Sequence, residues 1–222
     1  MLNFDETFNN SLRDLGATPD PFVLQVGAGD GVHGDFLHPW LQRMHWRALL
    51  LEPVEHVYEA LCRSYADRQN IQCARIAIGD HTGSSVLFRI GDLTGLPWWA
   101  DQLASFHKHV ILSHQASIPD IDNRIVSETV ECLTMSVLLT RFSIEHISLL
   151  AVDTEGFDAN VIRQTLDQGV VPDLILFEHK HLAEDNIRSL YRRLESLEYR
   201  LTQGLSDTFC SRTHLSVSVS PL

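Results

Sequence analysis

Basic residues are scarce in this 222-residue chain: 17 Lys and Arg stand against 29 Asp and Glu, a formal charge of −12 with the 12 histidines neutral. A protein that grips nucleic acid by its phosphates needs a basic stripe, and a deficit of this size argues against one; attraction to anionic membrane surfaces is disfavoured on the same ground. Long apolar runs are missing too. No window reaches the roughly 20 apolar residues of a membrane-spanning helix. Residues 1–20 carry neither the basic start nor the apolar stretch of a secretory leader, so a cytoplasmic protein is expected. Cysteines are few and scattered: Cys62, Cys73, Cys132 and Cys210 include no C-x-x-C pair, which argues against a disulfide framework or a zinc finger. What remains, 44% hydrophobic and 21% charged residues, is the composition of an ordinary globular protein.

Length alone admits one large domain or two small ones at about 150 residues each, and a single domain over residues 1–222 is the simpler reading. Phe4, Phe8, Leu12 and Leu15 recur at helical spacing before Gly16, Pro19 and Pro21, which predicts an N-terminal helix within residues 1–20. Buried strands are expected at 22–26, 47–52, 72–78, 129–133, 147–152 and 174–177. Helices are expected at 35–45, 53–67 and 134–142, from 158 onward, and around Ile187, Leu190, Leu194 and Leu197. Residues 85–90 read as a further strand that would hairpin against 72–78. Residues 91–125 show little periodicity apart from a helix expected near 101–112, and a connector this long reads as a lid or acceptor-binding segment. Leu215, Val217 and Val219 alternate with serines, the pattern of an antiparallel C-terminal edge strand. Apolar strands alternating with amphipathic helices require a mostly parallel sheet covered on both faces. The fold class is therefore α/β, one doubly wound Rossmann-like domain, with no internal repeat or interdomain linker.

In such a sheet a ligand sits beyond the carboxyl ends of the strands, where the strand order reverses beside the first strand. Three strand ends carry suitable residues. Gly27-Ala28-Gly29-Asp30-Gly31 lets the backbone turn sharply and approach a ligand. Glu52, 52 − 27 = 25 positions after Gly27, is placed to accept from two ribose hydroxyls. Val152-Asp153-Thr154-Glu155-Gly156 sets two carboxylates at the mouth of a central strand, where acids also suit a helix N-terminus. Gly29-Asp30-Gly31-Val32-His33-Gly34 matches the G-x-G-x-x-G of dinucleotide sites, so an NAD(P)-dependent oxidoreductase is an alternative. Asp30 inside the turn, and the lack of any Lys or Arg between positions 23 and 42, oppose a pyrophosphate there. A cofactor carrying an ammonium and a sulfonium tolerates Asp30, Glu52 and Asp153, and that description fits S-adenosylmethionine. A non-catalytic nucleoside-binding module of the same fold is a further alternative.

The blocks Gln25-Val26-Gly27-Ala28-Gly29-Asp30-Gly31, Leu51-Glu52-Pro53-Val54, Ala77-Ile78-Gly79-Asp80, Ala104-Ser105-Phe106, Val152-Asp153-Thr154-Glu155-Gly156-Phe157-Asp158 and Leu176-Phe177-Glu178-His179-Lys180-His181-Leu182 resemble, in order and spacing, those of FkbM-type methyltransferases. The resemblance spans roughly residues 22–182. It implies a class I methyltransferase with S-adenosylmethionine as donor, often acting on a hydroxyl oxygen of a sugar or natural product. It further implies Gly27, Ala28, Gly29 and Gly31 along the methionine end of the donor, Glu52 on the ribose, and Pro53, Ala77 and Ile78 around the adenine, with Asp80 on its amino group. Asp153 would face the reactive methyl, and Glu155 or His179 would reach the acceptor. One departure is Gln25, where many class I enzymes carry an acid. The implied reaction is O-methylation of a small molecule or glycosyl group, with Asp153, Glu155 and His179 as candidate bases.

His-Lys-His occurs twice, at positions 107–109 and 179–181. In an extended chain both imidazoles of a run share one face and could chelate a metal with Glu178 or Asp153, although the sequence fixes no third ligand and surface solvation is the commoner outcome. Trp98 and Trp99 would either wall the acceptor site or cap the core.

Overall fold

The computed structural model describes residues 3–212. Its central strand β1, Phe22–Val26, is apolar except for Gln25 and is buried from Val23 onward. It lies parallel between β2, Arg47–Leu51, and β8, Leu149–Val152. Beyond β2 lies β3, Ile71–Ala74, and beyond β8 lies β9, Leu174–Glu178, both again parallel. Alternate residues serve the two faces. Val23, Leu50, Leu149 and Leu176 join one core cluster, while Leu24, Leu49, Leu150 and Ile175 join the other. Strands apolar on both faces need cover on both sides, which is why they read as continuous hydrophobic runs.

One face is covered by α1 (Phe4–Gly16), α2 (His38–Arg43) and α3 (Glu55–Ser64); α1 contributes Phe8, Leu12 and Leu15 and is capped by Asn3, whose side chain accepts from the Asp5 amide at 3.3 Å. The other face is covered by α6 (Met135–Arg141), α7 (Asp158–Asp167) and α8 (Glu184–Ser196). Thr134 caps α6, as its position before an apolar helical run predicts.

Two antiparallel strands complete the large sheet: β10 (Tyr199–Gln203) and β11 (Asp207–Arg212), with β11 against β9. The strand order is β10-β11-β9-β8-β1-β2-β3. The α/β, mainly parallel architecture with antiparallel edge strands is as expected, but this hairpin was not read from the sequence. The edge strand expected around Leu215, Val217 and Val219 lies outside the described residues.

The expected strand at 72–78 is two strands in different sheets. It breaks at Arg75 and Ile76, and Ala77–Ile78 (β4) enters a second, four-stranded sheet with β5 (Gly83–Ile90), β6 (Ala104–Ser105) and β7 (Ile125–Leu133), in the order β4-β7-β5-β6. β5 pairs along its length with β7, from Gly83 against Cys132 to Ile90 against Ile125, and not with 72–78. The helix expected near 101–112 is likewise broken into a 3₁₀ turn at Trp98–Asp101, β6, and α4 (Lys108–Leu112), with α5 (Ile121–Arg124) following. Ile90, Ala100, Leu103, Ile111, Ile118 and Ile121 give this region a small core of its own.

Candidate active site

Parallel register aligns the strand ends. Val26 stands beside both Leu51 and Val152, so Gly27, Glu52 and Asp153 follow one another along the same rim. Val152 pairs with Phe177, and Glu178 pairs with Asp207, which adds Glu178 and Asp207 to that rim. A cleft of about 510 Å³ opens over it, roofed by Trp98, Trp99, Gln102 and Phe106.

The turn after β1 is held by the protein itself. Gly27 has φ +80°, and a Cβ there would lie 1.7 Å from the Asp153 carbonyl oxygen, so only glycine lets β1 and β8 close at this point. The Gly27 and Ala28 amides both donate to the Leu51 carbonyl at 2.9 Å, and the Gly29 amide donates to Glu52 Oε2 at 3.0 Å. The Gly31 amide donates to Ala28, and those of Val32 and His33 donate to Asp30 Oδ1. Amides that would cradle a pyrophosphate are thus already engaged, and α2 begins only at His38. That arrangement opposes the dinucleotide reading.

Several expected cofactor residues line the cleft: Gly27, Ala28, Gly29, Glu52, Pro53, Ala77, Ile78 and Asp153. Glu52 is 6% exposed and its second oxygen accepts from the Val54 amide at 2.9 Å; burial pushes its carboxyl up to about 8 against the pull of these two amides. Ala77 and Ile78 come from the second sheet, which therefore forms one wall.

Three expected placements need correction. Gly31 does not line the cleft; its φ of +72° turns the loop against α3, where a Cβ would lie 2.6 Å from Leu61, and its carbonyl accepts from the Tyr65 hydroxyl. Asp80 points away, exposed and 2.7 Å from His81 Nδ1, because the chain has already left the large sheet before it. Asp30 also folds back, onto its own loop and His33, and is not a wall of the cleft.

At the foot of the cleft, Gln25 and Asp35 supply what the sequence left open. Gln25 Oε1 and Asp35 Oδ2 are buried without an aligned hydrogen bond, the Gln25 amide lies beside the Asp35 carboxyl, and both residues line the cleft. The other Asp35 oxygen accepts from the Leu37 amide at 2.7 Å, and burial raises its carboxyl above the ordinary range. A buried carboxylate oxygen and an amide oxygen at one place, each with free acceptor capacity, fit a ligand cation. Asp35 stands nine residues past the strand's end; the sequence places it at the start of a helix over 35–45, but α2 begins only at His38, which leaves Asp35 in the preceding loop facing the cleft.

Asp153 opens onto the cleft yet is ringed by protein; this desolvation, with Asp207 and Asp35 near, pushes it up to about 6. Glu155 sits beside it in left-handed backbone, φ +51°, its carbonyl accepting from Ser105 Oγ at 2.8 Å. Burial, reinforced by neighbouring acids, pushes Glu155 up to about 8 and Glu178 to about 9, and burial pushes His181 down to about 4. His181 Nε2 lies 3.2 Å from Glu155 and 3.7 Å from Glu178, without hydrogen-bond alignment.

The base role expected of His179 lacks positional support. His179 does not line the cleft; its ring faces Thr208 Oγ1 at 3.0 Å and its amide donates to Ser206. β9 ends at Glu178, so His179 and His181 do not share an extended face. His107 and His109 stack at 5.5 Å on the exposed surface.

A family model, the methyltransferase FkbM domain, matches residues 25–201. The chain belongs to the FkbM methyltransferase family. It is thus a class I methyltransferase, and membership implies S-adenosylmethionine as methyl donor in general. The crystal structure of the methyltransferase FkbM from Methylobacillus flagellatus KT superimposes with a TM-score of 0.51 at 12% identity, over 88% of this chain and 45% of that one. This methyltransferase therefore spans less than half of that relative's length. An rRNA methylase from Streptococcus thermophilus aligns at a TM-score of 0.47 and 8% identity, over 96% of this chain and 98% of that one. No curated protein matches the sequence.

The residues present fit the donor. Glu52 at the end of β2 suits the ribose, Pro53, Ala77 and Ile78 suit the adenine, and the buried acceptors of Gln25 and Asp35 suit the ammonium of its methionine part.

Proposed function

We propose that this methyltransferase binds S-adenosylmethionine in the cleft and methylates a hydroxyl oxygen of a small molecule or glycosyl group. The observation that carries this reading is Asp153: a carboxyl at the mouth of β8, at the rim where the cleft opens, with burial and neighbouring acids that raise its basicity.

The donor supplies an activated methyl on a sulfonium, and the protein's work is to align, shield and manage one proton. Glu52 and Asp35 fix the two ends of the donor, while the roof formed by residues 91–125 excludes water and shapes the acceptor's place. Asp153 accepts the proton of the acceptor hydroxyl as the oxygen attacks. Glu155, beside it at the same strand end, orients the acceptor by hydrogen bonding. The whole described chain then works as one methyltransferase domain.

Methyl-labelled donor incubated with a panel of hydroxylated small molecules and glycosides tests this. Label recovered in a base-stable methyl ether is the expected result; label in an amine or a carboxyl ester would overturn the oxygen assignment. Replacing Asp153 by Asn is expected to lower kcat by about 100-fold or more while leaving donor affinity within a few-fold.

A further inference from the structure

Four buried polar atoms without a hydrogen-bond partner meet at one edge of the cleft: His114 Nε2, Glu155 Oε2, Glu178 Oε2 and His181 Nε2. They come from four separate places, the turn after α4, the loop after β8, the end of β9 and the turn beyond it. His181 has a side chain only 10% exposed. His181 Nε2 stands 3.2 Å from Glu155 Oε2 and 3.7 Å from Glu178 Oε2 but without hydrogen-bond alignment, and His114 Nε2 has no partner, so the cluster is left for a shared ligand to satisfy. Their arrangement indicates what it is. The donor atoms of His114, Glu155 and His181 lie within 4.8 Å of one another, and so do those of Asp153, Glu155 and Glu178, so the two triads share Glu155. Small side-chain rotations would bring these atoms to the separation of about 3.4 Å set by metal–ligand bonds of about 2.1 Å.

We infer that His114, Glu155 and His181 form a binding site for a divalent transition-metal ion at the acceptor end of the cleft, with Glu178 and Asp153 beside Glu155. Two imidazole nitrogens with carboxylates select zinc, manganese, iron or cobalt over magnesium or calcium, which take oxygen ligands. Glu155 is aimed by its left-handed backbone, which the Ser105 bond to its carbonyl holds in place; strain of this kind at a non-glycine residue persists where the surroundings enforce it. Asp153, Glu155 and Glu178 bring three carboxyl groups to one point of the rim, so the imidazoles of His114 and His181 meet oxygen donors there. His114, Glu155 and Asp153 also line the cleft, so the open side of the ion faces it, where a hydroxyl oxygen of the acceptor would complete the coordination. That role rests on the function proposed above; the binding of the ion does not.

The test is titration of the chelator-stripped full chain with Co²⁺, read by its visible absorption, and with Zn²⁺ by competition. Wild type is expected to take up one equivalent. His181→Gln and Glu155→Gln are expected to bind weaker by more than the ~10–100-fold that loss of a mere supporting partner costs. The surface double variant His107→Gln with His109→Gln is expected to bind as wild type does. No uptake by wild type, or equal uptake by wild type and His181→Gln, overturns the site. Thermal melts check folding; if His181→Gln does not fold, His114→Gln at the cleft edge carries the same comparison. Calorimetry of the stripped protein with S-adenosylhomocysteine reads the donor site separately, so loss of donor binding with metal uptake retained would remove the functional reading and leave the ion site standing.

Discussion

Glu52 Oε2 accepts the amide of Gly29 at 3.0 Å, and through it the end of β2 holds the glycine turn after β1 in the shape that forms the cleft. The residue expected to bind the ribose thus also builds its own binding site. Replacing Glu52 by Ala removes the ribose acceptor and frees two amides, those of Gly29 and Val54. Calorimetry with S-adenosylhomocysteine is expected to show affinity at least ~100-fold lower, since the ribose hydroxyls lose their buried acceptor and the glycine turn loses its anchor. Unchanged affinity would take Glu52 out of the site.

The same carboxyl predicts a dependence on pH. Its ordinary value of 4.5 is raised to about 8 in the fold, so between those values the folded protein holds a proton that the unfolded chain has released. Its contribution to stability is therefore fully present below 4.5 and is lost as pH rises toward 8. Denaturant unfolding across this window should show wild type losing more stability than Glu52→Gln, by on the order of a few kcal/mol. Donor affinity should move the other way, rising with pH in wild type and staying flatter in Glu52→Gln, because ribose hydroxyls donate best to the ionised form.

Asp35 separates charge recognition from nucleoside recognition. Asp35→Asn is expected to weaken S-adenosylhomocysteine, which keeps the ammonium, by about 10-fold or more. Methylthioadenosine, which has no ammonium, should bind equally to both forms. Equal losses for the two ligands would mean that Asp35 only shapes the loop.

Gly27→Ala drives a Cβ to 1.7 Å from the Asp153 carbonyl oxygen, at a backbone angle that disfavours any side chain. Neither strand can yield, since each is paired on both sides. A loss of roughly 4 kcal/mol or more is expected in chemical unfolding, with donor binding abolished in any protein that folds.

Trp98 is 56% exposed and packs across the cleft mouth against His33, ring centres 5.6 Å apart. Replacing Trp98 and Trp99 by Ala is expected to raise the acceptor KM by about 10-fold with donor affinity retained. An unmoved KM would assign the pair to packing alone.

Much of the site was legible because a parallel sheet translates sequence into position by a local rule. Each apolar run ends at the same rim, so Gly27, Glu52 and Asp153, far apart in the chain, fall side by side without any knowledge of long-range contacts. Ala77 and Ile78 line the cleft, but from a second sheet the sequence did not announce. Asp80 and Gly31 show the limit of carrying motifs over: each belongs to a matching block, yet one faces solvent and the other faces α3.

The sequence by itself determined the alternation of elements, the parallel core and the acids at its strand ends, because periodicity and turn chemistry act within a few residues. Only tertiary structure decided the rest. Pairing of β5 with β7 closes a connector of more than thirty residues, and nothing local states which strand it will meet. That closure forms the roof, carries Trp98, Trp99 and Phe106 over the cleft, and brings His114 to His181 across 67 positions. It is also why His181, and not His179, faces Glu155: the side a histidine presents after the end of β9 is set by what the surrounding elements leave open to it.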